Sequence, residues 1–140
     1  MKERTFVALK PDAVKRKLVG KLIERFENKG FEIIAMKMVK LNREMAEKYY
    51  EEHKGKDFFE NLVKFMTSGR IVAMVVEGEN AITAVRKMIG KTNPIEAEPG
   101  TIRGDFATKT PENVIHASDS KESAEREIKL FFKEEEIFSE

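Results

Sequence analysis

At 140 residues the chain is long enough to bury a core of its own, and its 41% hydrophobic content excludes a disordered polymer. Lys and Arg number 26 against 25 Asp and Glu, a formal net charge of +1 that supplies no global field for nucleic acid. The absence of Cys excludes disulfides and thiolate chemistry, and with only two His it argues against a structural zinc site. No apolar stretch approaches the ~20 residues of a membrane span. Met1-Lys2-Glu3-Arg4-Thr5 runs straight into a strand-like segment with no leader pattern, so a cytoplasmic location is expected.

Thr5–Leu9 is apolar on both faces and reads as a central strand. Lys10 ends it; Pro11 suits the first position of a helix, and Asp12 its first turn. Leu18, Val19, Leu22, Ile23 and Phe26 continue that helix at helical spacing until Gly30 stops it. Phe31–Val39 reads as a second strand. Asn42 caps a helix through Tyr50, and Asp57 with Glu60 predicts a capping box for another that runs to Met66 before Gly69. Arg70–Val76, rich in β-branched residues, is a third strand, and Gly78-Glu79-Asn80 leads into a helix from Ala81 to Ile89 that Gly90 stops.

The segment from Lys91 to Glu112 holds three of the four prolines, and loops of that length are usually functional or interfacial. Val114-Ile115-His116 is a short last strand, and Ser120–Phe132 a last helix. The order β-α-β-(αα)-β-α-loop-β-α predicts an α/β (α+β) chain: a ferredoxin-like split βαβ sandwich with an antiparallel sheet and an inserted long loop. No repeat or linker interrupts it, so residues 1–140 read as one domain.

Of the two histidines, His53 lies in the charged run Glu51-Glu52-His53-Lys54. His116 instead ends an apolar run and precedes small polar residues that open a helix. An imidazole there is a nucleophile, a proton carrier, a ligand or a capped core histidine. In the last helix Glu127 sits at the edge of the apolar stripe, with Ala124 and Phe131 as its i−3 and i+4 neighbours. It is either lifted to solvent, or it orients His116, fixing the tautomer and stabilising positive charge on the ring. Ser118 and Ser120 either cap this helix or steady Glu127, with capping favoured for Ser120.

Arg86 repeats the anomaly beside the inward residues Ile82, Val85 and Ile89, where a snorkelling side chain is the ordinary reading. Lys10 shares the strand face of Phe6 and Ala8, and Arg103 lies in a glycine-flanked loop whose backbone can approach a ligand. With a histidine nucleophile, these cations are the components of a phosphoryl-transfer site. Gly90-Lys91-Thr92 imitates the end of a P-loop, but Val85 stands where the first glycine belongs and the segment follows a helix, so that motif is rejected. Tyr50 and Phe58 flank a charged connector containing Gly55, where aromatics either stack on a base or join the core.

Lys10-Pro11-Asp12, Thr92-Asn93-Pro94, Pro99-Gly100-Thr101-Ile102-Arg103-Gly104-Asp105 and Asn113-Val114-Ile115-His116-Ala117-Ser118-Asp119-Ser120 together resemble the nucleoside diphosphate kinase family, from about Glu3 to Phe132. The resemblance implies ping-pong transfer of a γ-phosphate between nucleotides of any base, through a phosphohistidine. In that pattern His116 matches the nucleophile, and Glu127, assisted by Ser118, the acid that orients it. Lys10, Arg86, Arg103, Thr92 and Asn113 match groups that hold phosphates and ribose. Tyr50 matches a residue near His116 and Lys10, and Phe58 with Leu62 the apolar clamp on the base.

The resemblance also implies Mg2+ carried by the nucleotide phosphates and water rather than by a protein cage, nucleic-acid binding only as a side activity, and a hexamer in which the loop around Pro94 makes the threefold contact. Two departures stand out. Pro111 and Glu112 precede Asn113 where many relatives carry Gly and a basic residue, and the chain ends at Glu140 without the extension that some members drape over a neighbour.

Overall fold

The computed structural model describes residues 1–140. Its frame is a four-stranded sheet in the order β2-β3-β1-β4, with every neighbouring pair antiparallel. β1 (Lys2–Leu9) lies inside it, paired along its length with β3 (Ile71–Glu79) and, at its end, with β4 (Ile115–Ala117). β2 (Glu32–Val39) forms the edge beyond β3, with a bulge between Ile33 and Ala35. The helices pack on both faces, so the ferredoxin-like α/β architecture read from the sequence is the observed one.

The period-2 alternation of side chains sorts the strands into two cores. Val7, Leu9, Val72, Met74, Val76, Ile115 and Ala117 face α1 (Pro11–Lys15), α2 (Val19–Lys29), α5 (Ala81–Ile89) and α6 (Ile102–Phe106). Phe6, Ala8, Ile71, Ala73 and Val75 face α3 (Arg43–Tyr49), α4 (Phe59–Met66) and α7 (Lys121–Phe131). No helix is long and apolar enough to cross a membrane.

Three expectations need correction. The helix predicted from Pro11 through Phe26 is broken: Lys17 takes φ +63, which turns the chain between α1 and α2. The Asp57–Glu60 capping box does not form. α4 starts at Phe59 with no side-chain cap, and the Glu60 carboxylate is taken by Arg43 of α3, a tertiary ion pair in place of the local one.

The long segment between α5 and β4 also has structure of its own. Asn93 caps a single 3₁₀ turn, Pro94–Glu96, by accepting from Ile95 N at 3.1 Å. Thr101 caps α6 by accepting from Gly104 N at 3.0 Å. Arg103 therefore rides on a short helix and not on an irregular loop.

Gly104 lets that helix close on the preceding backbone, because a Cβ there would overlap the Glu98 carbonyl and the Thr101 hydroxyl. Backbone cannot step aside as a flexible side chain can. Gly104→Ala is expected to lower stability by about 1–3 kcal/mol, the usual range for forced overpacking, as measured by urea unfolding.

Candidate active site

Ile115 and Ala117 turn into the α2/α5 core, so His116 between them faces the opposite layer. It sits across from Ala8 in the β1–β4 register, with the Tyr49 ring edge-on at 5.2 Å and Phe6 tilted at 6.4 Å. About 25% of its side chain remains exposed. Glu127 reaches it from α7. Ser120 fixes where that helix begins by accepting from Ser123 N at 3.1 Å, and Glu127 follows in its second turn.

One carboxylate oxygen of Glu127 receives both His116 Nε2 at 2.9 Å and Ser118 Oγ at 2.8 Å. The second lies 3.5 Å from an Arg126 nitrogen. Glu127 is 3% exposed, so it lies under the helix and not at the edge of its stripe. An acceptor-only carboxylate on Nε2 makes that nitrogen the donor and leaves Nδ1 as the free base. Burial, above all, lowers the His116 pKa below its ordinary value; Glu127 opposes the shift, and Lys10 and Arg103 add to it. The ring is therefore predominantly neutral at pH 7.

The cations are held by neutral groups. Lys10, 6% exposed at the end of β1, donates from Nζ to Asn113 Oδ1 at 2.6 Å and to the Pro111 carbonyl at 3.3 Å. Arg103, 2% exposed, donates to the carbonyls of Gly90 at 3.1 Å and Ile115 at 2.7 Å, while its buried Nε has no partner. Arg86 is not a snorkelling side chain: it donates to the Ala117 carbonyl at 3.1 Å.

Ion pairs bind many surface cations of this chain, but none of these three. Burial, then the Arg103 charge, lowers the Lys10 pKa to about 7. Burial, then Arg86, lowers that of Arg103 to about 10. Buried, mutually repelling and unneutralised, they form a receptor for an anion.

A cavity of about 580 Å³ opens over these groups, and every catalytic or nucleotide-binding residue matched by the resemblance lines it except Ser118, which stands behind Glu127. Thr92 and Asn113 meet at its rim, where Asn113 Nδ2 donates to the Thr92 carbonyl at 2.8 Å. Phe58, 47% exposed, and Leu62 line its outer end at the start of α4. Tyr50 belongs to the same wall, and burial followed by the Glu127 charge raises its hydroxyl pKa, keeping it protonated and able to donate.

The sequence reading missed other lining residues. His53 belongs to the cavity and not to open surface, its ring 5.4 Å from that of Phe58 and 6.2 Å from that of Tyr50. Its spacing of three residues from Tyr50 across a 3₁₀ turn was the available signal. Asn61, Glu52 and Asp119 also line it; Asp119 falls within the His116 motif and Glu52 within the charged run at His53, but the pattern assigns neither a role.

A family model described as nucleoside diphosphate kinase matches residues 3–137. The chain is 85% identical over 138 residues to the nucleoside diphosphate kinase of Methanocaldococcus jannaschii, covering 99% of each protein. It is 72% identical over 130 residues to that of Methanococcus maripaludis, covering 93% of this chain and 98% of the relative. Among solved structures, the Halobacterium salinarum nucleoside diphosphate kinase in complex with CDP superposes with a TM-score of 0.97 at 44% identity, covering 100% of this chain and 93% of that one. The Aquifex aeolicus enzyme gives 0.96 at 46% identity, covering 98% and 99%. Matched across nearly its whole length in sequence and in fold, the chain belongs to the nucleoside diphosphate kinase family.

Proposed function

We propose that His116 carries the phosphate in the family's reaction, with Nδ1 as the attacking atom. The observation that carries this reading is the division of charge in the cavity. Its buried carboxylate, Glu127, sits on Nε2 of the ring, and three cations without an ion-pair partner line the same cavity. In the first half-reaction a bond forms between Nδ1 and the γ-phosphorus of a nucleoside triphosphate. The bond from that phosphorus to the bridging oxygen breaks, and its electron pair leaves with the diphosphate. The ring gains positive charge while keeping its proton on Nε2, and Glu127 stabilises that charge. A second diphosphate then attacks the phosphohistidine and reverses these steps.

Lys10, Arg86 and Arg103 offset charge on the phosphates, already aimed by their carbonyl partners, and Thr92 and Asn113 hold the polar rim for phosphate and ribose. The Tyr50 hydroxyl donates into the same space. Phe58 with Leu62 grips a base by its face, consistent with acceptance of any base. Kinases of this family generally act with a divalent cation. The lining carboxylates Glu52 and Asp119 are hard oxygen donors that would hold Mg2+ through water, and a metal bound with the nucleotide phosphates would supply charge neutralisation. The chain is read as one kinase domain working in the cytoplasm, with nucleic acid at most a side ligand.

Labelling with γ-labelled ATP alone is expected to leave acid-labile phosphate on the protein, and His116→Ala to abolish it. Label persisting in that variant would overturn the assignment, and nucleotide binding without any label in the parent chain would indicate a sensor. Glu127→Ala is expected to slow transfer by about 10²-fold or more with nucleotide affinity nearly unchanged.

The low pKa of Lys10 gives a second readout. Empty, Lys10 loses its proton as pH rises through about 7. A bound phosphate raises that pKa, because opposite charge favours the ammonium. Diphosphate binding at pH 8 is therefore expected to draw in close to one proton, and affinity to fall as pH rises above 7. Calorimetry in buffers of different ionisation enthalpy measures this, and Lys10→Met should erase the uptake.

The assembly is read as a hexamer built from dimers. Ile95, 76% exposed on the capped turn at Pro94, supports the threefold contact, and Met36 and Met38, about half exposed on the β2 edge, support the dimer. Ile95→Asp is expected to split the hexamer into smaller species in sedimentation velocity.

A further inference from the structure

The chain enters β4 through a strained turn at Val114. This residue is β-branched and fully buried, yet it takes φ +63 in the left-handed region, where such side chains are outliers. Ile115 N donates to the Asn113 carbonyl at 2.8 Å, closing a γ-turn centred on Val114, the rare positive-φ form.

Both polar backbone groups of Val114 are tied to one place, the junction of β1 and α1. Lys10 N donates to the Val114 carbonyl at 2.8 Å, and Val114 N donates to Asp12 Oδ2 at 3.1 Å. The other oxygen of Asp12 is buried without any partner, and Asp12 makes no ion pair with Lys10. The bond from Val114 N holds the carboxylate against the turn; burial disfavours its charge, while the Lys10 charge and the amides of Asp12 and Ala13 favour its ionised form. The site's groups flank that turn. Asn113, which binds Lys10 Nζ at 2.6 Å, stands before it. Ile115, whose carbonyl receives Arg103 at 2.7 Å, and then His116 follow it.

We infer that Asp12 is a positioning residue for phosphoryl transfer: its carboxylate clamps the strained Val114 turn and thereby sets Asn113 and His116 against Lys10. The inference rests on His116 as the phosphate acceptor. Relaxation of the turn displaces two groups that the reacting phosphate must meet together, and a misplacement of about 1 Å costs on the order of 10²-fold in rate. The ordinary role for an acid in the first turn of a helix is to offset the helix dipole, which depends on charge. The clamp depends on an acceptor oxygen, which Asn also supplies.

Single-turnover phosphorylation of the full chain by ATP separates the two, with folding checked by circular dichroism. Asp12→Ala is expected to lower the maximal rate by about 10- to 100-fold. Its half-saturating ATP should change by less than about threefold, and labelling should still reach completion. That completeness distinguishes it from His116→Ala, in which no label forms. Asp12→Asn is expected to recover to within about threefold of the parent chain. A loss in Asp12→Asn as large as in Asp12→Ala overturns the inference, as does an Asp12→Ala chain that melts earlier but turns over at the parent rate.

Val114→Gly provides an independent arm, because glycine adopts positive φ without strain. In that background Asp12→Ala is expected to cost less than about threefold, and an undiminished loss overturns the clamp. Should Asp12→Ala alone fail to fold, the paired variant decides the matter: recovery of folding and rate relative to Val114→Gly supports the clamp, and no recovery refutes it.

Discussion

Lys10, Arg86 and Arg103 share one cavity, and no carboxylate lies within ion-pair reach of any of them. Positive charges brought together away from water repel one another and lose hydration, and the lowered pKa values of Lys10 and Arg103 express both effects. What holds them is a set of backbone carbonyls, from Gly90, Pro111, Ile115 and Ala117, together with the Asn113 amide. Such acceptors fix direction without cancelling charge. A carboxylate in their place would make a more stable empty protein and a poorer receptor for phosphate, because the anion would have to displace it. Glu127 is spared that role by its location behind the ring, bound to Nε2 and to Ser118.

The whole-molecule charge conceals this arrangement. A formal net charge of +1 follows from 26 Lys and Arg against 25 Asp and Glu, and several of the cations outside the cavity sit in ion pairs. Lys2 and Arg4 meet Glu77, Arg25 meets Asp105, and Arg43 meets both Glu47 and Glu60. The site is made electropositive by gathering three cations at one cavity, two of them buried, without an ion-pair partner. Composition alone therefore speaks only to the absence of a global field and says nothing about a local anion receptor.

Legibility followed the range of the interactions. Strand parity is local, so placing His116 opposite the core positions Ile115 and Ala117 needed only alternation, and the spacing of Ala124, Glu127 and Phe131 was enough to mark Glu127 as misplaced. That Glu127 is buried and not at the stripe edge depended on Ser118 and His116 reaching it from another element. The Asp57–Glu60 cap failed for the same reason, since Arg43 lies 17 residues from Glu60 and outcompetes the local contact. Asp12 and Val114 are 102 residues apart, and the left-handed turn they share leaves no periodic trace. The motif resemblance brought Thr92 and Asn113 to notice, which patterning alone would have left in a loop.

The two ends of the cavity differ in how they are built, and that difference bears on which nucleotides it accepts. The end proposed for the phosphates is assembled from the end of β1, α5, α6 and the backbone leading into β4; Lys10 and Arg103 there are 6% and 2% exposed, with carbonyl or amide partners. The outer end comes from the α3–α4 connector and the first turn of α4, and its most prominent side chain is the half-exposed Phe58, with Lys56 Nζ 5.7 Å from its ring centre. On the proposed reading, buried cations meet the part all nucleotides share and a half-exposed ring meets the part in which they differ, so binding is concentrated where it does not discriminate among bases. Broad base acceptance, so read, needs no adaptable pocket: it is what buried, directional interactions at the proposed phosphate end and open, non-directional ones at the other would give.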